Sequence, residues 1–277
     1  MKSPTTFLIS LLPLNFLSAL FGFLIHLRLP RPLSSRLIRL FVSYFKINLS
    51  DAKKKIDEFQ SIGEVFIREL VPGSRPLGDG LVSPVDGTLR ESRIIHAGKL
   101  PQIKGKTYSV EEFLGSSSEA ARFEGGTFFN LYLSPPDYHA IHAPLAGDIG
   151  VATHLPGRLW PVNDWALKNV SDLFSVNERV ICYLESSLGK IAVVMVGATN
   201  VGKISVTFDS FTSNGFFQSK KPTVRIYPDK PHFNKGDKLG CFHFGSTVVM
   251  LIPPGGPSLT IQKDSGKVSV GTTLATF

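Results

Sequence analysis

Apolar residues fall along this chain in three textures. Residues 7–27, FLISLLPLNFLSALFGFLIHL, contain no Lys, Arg, Asp or Glu. As one helix they would reach about 31 Å, enough for a hydrocarbon core of about 30 Å. Pro13, Asn15 and Gly22 interrupt the run, so a broken or surface-lying helix fits it equally well. In the next stretch, LSSRLIRLFVSYFKINLS, Arg36, Arg39, Ser43 and Lys46 share an arc of about 80° on a helical wheel. Leu37, Leu40, Phe41, Tyr44 and Phe45 cover much of the remaining surface, and this predicts an amphipathic helix over 33–49. After Asp51 the text turns to short apolar runs closed by Gly and Pro. FFNLYLS, VICYLES, KIAVVMVGAT, KISVTFDSF, STVVMLI and KVSVGTTLATF read as strands. Helical spacing is confined to 52–70, 109–122 and 163–174. The pattern predicts an α+β fold, predominantly β, with mixed or antiparallel sheets rather than alternating βαβ units.

Charge changes the reading of the N-terminus. The chain of 277 residues carries a net charge of +8. Residues 1–55 hold nine basic side chains against the single acid Asp51, so the other 222 residues balance at 21 against 21. A nucleic-acid binder would spread such charge over its folded domain. Here it flanks apolar sequence, which points to helices associated with an anionic membrane. The expected division is therefore 1–50, membrane-associated, and 51–277, the main domain. Basic residues follow the apolar stretch, which places the main domain on the cytoplasmic face of the cell membrane. No Ala-x-Ala cleavage site follows that stretch. Cys182 and Cys241 stand far apart, with neither disulfide nor zinc spacing, and read as buried thiols.

Two turns resemble each other: SPVDGTL at 83–89 and APLAGDI at 143–149. They hint at a duplicated half-barrel of the lipoyl kind, and so at barrel-sandwich character. No phosphate-binding glycine loop occurs.

Reactive side chains concentrate in three places. Asp86 lies on the Pro- and Gly-bounded turn SPVDG, where a carboxylate also serves to cap the turn. His139 and His142 lie three apart in YHAIHAP; without a nearby third ligand they make a poor metal site. Ser246 follows Gly245 at the mouth of the apolar run VVMLI, in FGSTVV. A local turn would account for that Gly-Ser-Thr. Asp, His and Ser are also the set that activates a hydroxyl, if the fold brings them together.

The ordered set FIREL with a following Arg-Pro, SPVDG, KGKTYSVEEFLG, LYLSPPDYHAIHAP, NERV, VGATNVGKI and FGSTVV resembles the phosphatidylserine decarboxylases from about residue 33 to the end. In two places the chain departs from that pattern. Phe244 stands where Leu or Gly is expected, and Ala140 where the family usually has Arg, so a cation near the site must come from elsewhere.

The resemblance implies a chain that cuts itself. Ser246 would attack the carbonyl carbon of Gly245, and the amide would become an ester. Elimination would free residues 1–245, and the new end of 246–277 would hydrolyse to a covalent pyruvoyl group and ammonia. It further implies His142, held by Asp86, as the base, Thr247 as an oxyanion donor and His139 as the acid of decarboxylation. Asn at position 86 would then cost about 10⁴-fold, the scale of the serine-protease relay. The pyruvoyl carbonyl would join the amine of phosphatidylserine in a Schiff base and accept the electrons left by carbon dioxide. The expected partners are phosphatidylserine and the chain's own second fragment, with a higher homo-oligomer left open, together with the anionic lipids that the charge pattern points to, and with no metal and no nucleic acid. Three other classes use parts of the same residues: a pyruvoyl decarboxylase of another amine, a membrane-bound Ser-His-Asp hydrolase, and a non-catalytic lipoyl-like binding module.

Overall fold

Every run read as a strand forms one in whole or in part, while the helical spacing breaks into shorter pieces. The computed structural model describes residues 4–103, 106–199, 203–214, 221–243 and 246–277. Three helices come first: α1 (Pro4–Leu11), α2 (Leu14–Ile25) and α3 (Arg31–Phe45). Pro13 divides α1 from α2, so the single long helix over 7–27 does not form. Among the described residues no helix is long and apolar enough to cross a membrane.

The 52–70 pattern yields only a 3₁₀ turn (Ile56–Glu58) and α4 (Ile62–Phe66). Phe59 between them is extended and buried, and Ser61 caps α4 afresh. Tertiary burial of one aromatic overrides helical spacing there. The 109–122 pattern splits into α5 (Val110–Leu114) and α6 (Ser117–Ala121), and the last helical pattern into α7 (Asp164–Asn169) and α8 (Leu173–Val176). Gly115 at φ 66° and Asp172 at φ 53° make those breaks.

The strands, in order, are β1 (Leu81–Val82), β2 (Gly87–Ile94), β3 (Lys99–Ile103), β4 (Lys106–Ser109), β5 (Thr127–Leu133) and β6 (Ala140–His142). They continue with β7 (Gly147–Leu155), β8 (Arg179–Ser186), β9 (Gly189–Val196), β10 (Ile204–Val206), β11 (Thr223–Ile226) and β12 (His232–Phe233). The last are β13 (Lys238–Phe242), β14 (Ser246–Ile252), β15 (Thr260–Ile261), β16 (Gly266–Val268) and β17 (Thr273–Thr276). Among the described residues the main sheet runs β11–β7–β8–β9–β14–β5–β2–β16, with β12 also on β7. All of its pairings are antiparallel. β14 is buried along its whole length between β5 and β9, which is why it reads as unbroken Val, Met, Leu and Ile. Phe113, Leu167 and Phe174 of the short helices join the same core.

Two small sheets, β1–β17–β15 and β10–β13–β6, carry the duplicated turns, and their hydrogen bonds repeat. Val82 N–H donates to Pro144 O at 3.1 Å, and His142 N–H to Pro84 O at 2.8 Å. Ser83 N–H donates to Thr272 O as Ala143 N–H does to Asp237 O, both at 2.8 Å. Gly271 and Gly236, at φ 86° and 89°, donate back to Ser83 O and Ala143 O. Leu81 pairs with Ala275 as Ile141 pairs with Gly240. The two turns are thus copies of one unit, related by an approximate two-fold axis between residues 82–84 and 142–144.

The N-terminal helices lie on this body. Ile38 of α3 is buried with Ile47, Phe59 and Val65, and Leu14 and Ile25 of α2 enter the main core. Their outer faces stay apolar: Leu8, Leu11, Phe16, Phe23 and Leu24 on α1 and α2, and Leu33, Leu37, Leu40 and Tyr44 on α3, are all exposed.

Candidate active site

The site lies where the internal two-fold breaks. Asp86 stands where the other copy has Ala146, and His142 where it has Val82. The axis brings the loop of one copy against the strand of the other, so these two departures come together. β6, carrying His142, pairs with β13, and β13 leads through residues 243–245 to Ser246 at the start of β14. Gly245 and Phe244 lie outside the described residues.

Asp86 is nine-tenths buried and held by a fork. Arg75 Nε donates to its two oxygens at 3.0 and 3.2 Å, Arg75 Nη2 to Oδ2 at 2.6 Å, and Val270 N–H to Oδ1 at 2.8 Å. Arg75 also donates to Asp51 Oδ2 at 2.6 Å. The Asp86 hydrogen bonds push the guanidinium's pKa up.

His142 does not take Asp86 as its hydrogen-bond partner, contrary to expectation. Its Nδ1 lies 2.7 Å from Gly236 O and its Nε2 3.3 Å from Tyr138 Oη. A carbonyl can only accept, so Nδ1 carries the proton and Nε2 the lone pair. The physical reason is competition: Arg75 offers Asp86 a charged, bidentate partner that a neutral imidazole cannot match. Asp86 still acts on the ring through its field. Burial lowers the His142 pKa, and the Asp86 charge raises it.

His139 lies just before β6 and is wholly buried. Its Nδ1 lies 2.8 Å from Asp137 O, Nε2 has no partner, and the ring meets Phe66 edge-on at 5.3 Å. Burial brings its pKa down to about 4. At neutral pH His139 is therefore a proton acceptor at Nε2, and it can serve as an acid there only after it has accepted a proton.

Ser246 is fully buried, and among the described residues its Oγ has no hydrogen-bond partner. A buried, orphaned hydroxyl costs about 1–3 kcal/mol, so the fold keeps it against its stability. Thr247 is buried beside it, opposite Tyr132 and Val196. Ala140 is buried against Cys241 on β13, and the positive charges that reach the Cys241 thiol come from Lys238 and Arg68. Burial holds the thiols of Cys182 and Cys241 up, at about 12 and about 11, so both stay protonated. Among the described residues no group of three or more His, Cys, Asp or Glu side chains could hold a metal.

Sequence reasoning quoted the segment FIREL with Arg-Pro but gave Arg68 and Arg75 no role. Arg68 is buried, donating to Val65 O at 3.1 Å and Pro136 O at 3.3 Å and lying over the Tyr138 ring. Two arginines seven residues apart in a segment without helical continuity were the available signal. NERV, by contrast, serves the frame. Asn177 ties Trp160 to Gly197, and buried Arg179 donates to Phe113 O, Ser175 O and Glu112 O.

Residues 62–276 match the family model described as phosphatidylserine decarboxylase. A protein named phosphatidylserine decarboxylase proenzyme from Anaeromyxobacter sp. (strain K) is 40% identical over 268 residues, spanning 95% of each chain. One of the same name from Brevibacillus brevis is 40% identical over 251 residues, covering 88% of this chain and 89% of its own. Another, from Myxococcus xanthus, is 39% identical over 250 residues, covering 89% and 88%.

Proposed function

Because this chain belongs to the phosphatidylserine decarboxylase family, we propose that it removes carbon dioxide from phosphatidylserine to give phosphatidylethanolamine, after cutting itself between Gly245 and Ser246. It is a carboxy-lyase. One observation supports the self-cleavage: the orphaned, fully buried Ser246 hydroxyl at the head of the central strand. Purified protein should release carbon dioxide from phosphatidylserine and none from free serine; release from serine alone would point to a different amine substrate.

In self-cleavage, His142 Nε2 accepts the Ser246 proton and Ser246 Oγ adds to the Gly245 carbonyl carbon. The Gly245–Ser246 amide becomes an ester. Once His142 has passed its proton to the freed amine, elimination removes the Ser246 Cα proton to that imidazole and breaks the Ser246 Cβ–Oγ bond, leaving a carboxylate on Gly245 and a dehydroalanine at 246. Water converts that residue to a pyruvoyl end and ammonia. Gly236 O fixes the His142 tautomer, and Asp86, fixed by Arg75, stabilises the imidazolium through space. Position 246 is dry, as a pyruvoyl group requires, and His139 Nε2, unpartnered among the described residues, is the nitrogen we assign to it. When present, that group supplies an electron sink for the departing carboxylate's electrons. His139 takes a proton from the substrate ammonium and returns it to the carbon that carbon dioxide leaves. The fragment 246–277 stays in place because β14, β16 and β17 remain paired within the sheets.

The tautomer argument sets the size of one effect. Asp86→Asn removes the field but not the orienting bond from Gly236. Self-cleavage should slow about 10- to 100-fold, not the 10⁴-fold of a relay whose carboxylate fixes the tautomer. Time-resolved gels of the freshly made chain give the rate, and a 10⁴-fold loss would mean that Asp86 rotates onto His142 before cleavage.

The enzyme lies on the cytoplasmic face of the cell membrane by the exposed apolar faces of α1, α2 and α3. Replacing Phe16, Phe23 and Leu24 with Ser leaves the buried Leu14, Ser18 and Ile25 in place. Vesicle binding should weaken about 100-fold or more, the loss of several apolar side chains from lipid. The residue that persists should be salt-sensitive, from Arg36 and its neighbours. Unchanged sedimentation with vesicles would exclude this face as the anchor.

A further inference from the structure

His26 and His243 have no part in the chemistry above, yet they meet beside it. His26 follows the last turn of α2, and its ring fills the space over Gly63 of α4, where any side chain would overlap it. The ring of His243 meets it edge-on, with centroids 5.5 Å apart. His26 Nε2 and His243 Nδ1 are both buried without a partner. His243 Nε2 lies 3.2 Å from Ser205 Oγ, and its backbone N–H donates to Lys203 O at 3.1 Å. The Lys203 side chain is exposed and pairs with no carboxylate among the described residues. Among the described residues the acid facing His26 is Glu64, which Lys54 already holds at 3.2 Å and Arg28 approaches at 3.7 Å. Burial first and Lys203 second hold His243 at about 3. Two unpartnered imidazole nitrogens on rings in contact, and the Lys203 charge that acts on both rings, thus lie in one region with no anion between them among the described residues.

The position of this cluster matters. His243 stands three residues before Ser246, where the substrate amine must react. His26 ends the helix whose outer face exposes Phe16, Phe23 and Leu24 to lipid. A phospholipid with its amine at Ser246 and its acyl chains along α2 must pass its phosphate between the two. We propose that His26, His243 and Lys203 form the subsite that receives the phosphodiester of the lipid headgroup. This rests on phosphatidylserine being the substrate.

Lys203→Met and His243→Asn test it. Both should still divide into the two chains by mass. Their KM for phosphatidylserine in mixed micelles should rise about tenfold or more, with kcat changed less than threefold, as expected when ground-state and transition-state binding are lost together. Glycerophosphoethanolamine should inhibit the parent enzyme and lose potency by the same factor in both variants, while ethanolamine, which lacks the phosphate, should not distinguish them. Calorimetric binding of glycerophosphoethanolamine should weaken in parallel, a readout independent of turnover. Should His243→Asn fail to mature, Lys203→Met decides alone, since that side chain is exposed. Unchanged KM and unchanged binding in Lys203→Met would overturn the subsite. So would inorganic phosphate competing as strongly as the diester, which marks a free-anion site. A parent enzyme that binds the diester but releases no carbon dioxide from phosphatidylserine would contradict the substrate instead, leaving the anion site intact.

Discussion

Ser246→Ala yields one uncleaved chain that releases no carbon dioxide from phosphatidylserine. The loss is complete rather than graded, because alanine lacks both the nucleophile for cleavage and the oxygen-bearing carbon from which the pyruvoyl end arises. The structure adds a second, opposite expectation. Ser246 Oγ is buried with no partner, so its removal takes away an unsatisfied polar group. The variant should melt no lower than an uncleaved parent chain, and up to about 1 kcal/mol of stabilisation is reasonable. A calorimetric scan beside an activity assay measures both. Loss of activity with a collapsed melting temperature would mean that Ser246 supports the fold, not the chemistry.

The second large effect separates the two histidines. His142→Ala should accumulate full-length chain, as Ser246→Ala does, because the only imidazole whose tautomer is set by Gly236 O is gone. His139→Ala should still give both chains and the pyruvoyl end. Its release of carbon dioxide should fall about 10²- to 10⁴-fold, the usual contribution of a placed proton carrier. Gel analysis scores the first step and trapped carbon dioxide the second. If His139→Ala also stops chain cleavage, the two rings act as one unit and the division of labour fails. The same assignment fixes a pH dependence. The His139 pKa lies near 4, below the ordinary histidine value, so its proton-accepting form persists as the pH falls through 6.5. Activity due to this group should be lost only as pH approaches about 4. An acidic limb at 6.5 would contradict the burial that lowers it.

The strands were legible because their residues are apolar on both faces, as in VVMLI of β14, or end on Gly and Pro. The helices were legible unevenly: the amphipathic run over 33–49 forms α3, whereas the 52–70 pattern does not stay helical. Spacing over 52–70 is a local property, but Phe59 is buried by partners far away in sequence, and the chain straightens to place it. Of the site, Asp86, His139, His142 and Ser246 could be named from residue type and motif order. Their bonding could not. Nothing in SPVDG shows that Arg75 occupies its carboxylate, and nothing in YHAIHAP shows that Gly236 holds His142, 94 residues away. The resemblance of SPVDGTL to APLAGDI was a truer signal than its seven residues suggested. It marks the two copies whose differences, Asp86 against Ala146 and His142 against Val82, fall at the candidate site.

The intact mass of the purified, undigested protein tests self-cleavage most directly. Two chains should be found, residues 1–245 and 246–277, the smaller bearing a pyruvoyl end with no free amine. They should elute together until denatured, since β14 is paired on both sides. A single full-length chain that decarboxylates phosphatidylserine would contradict it.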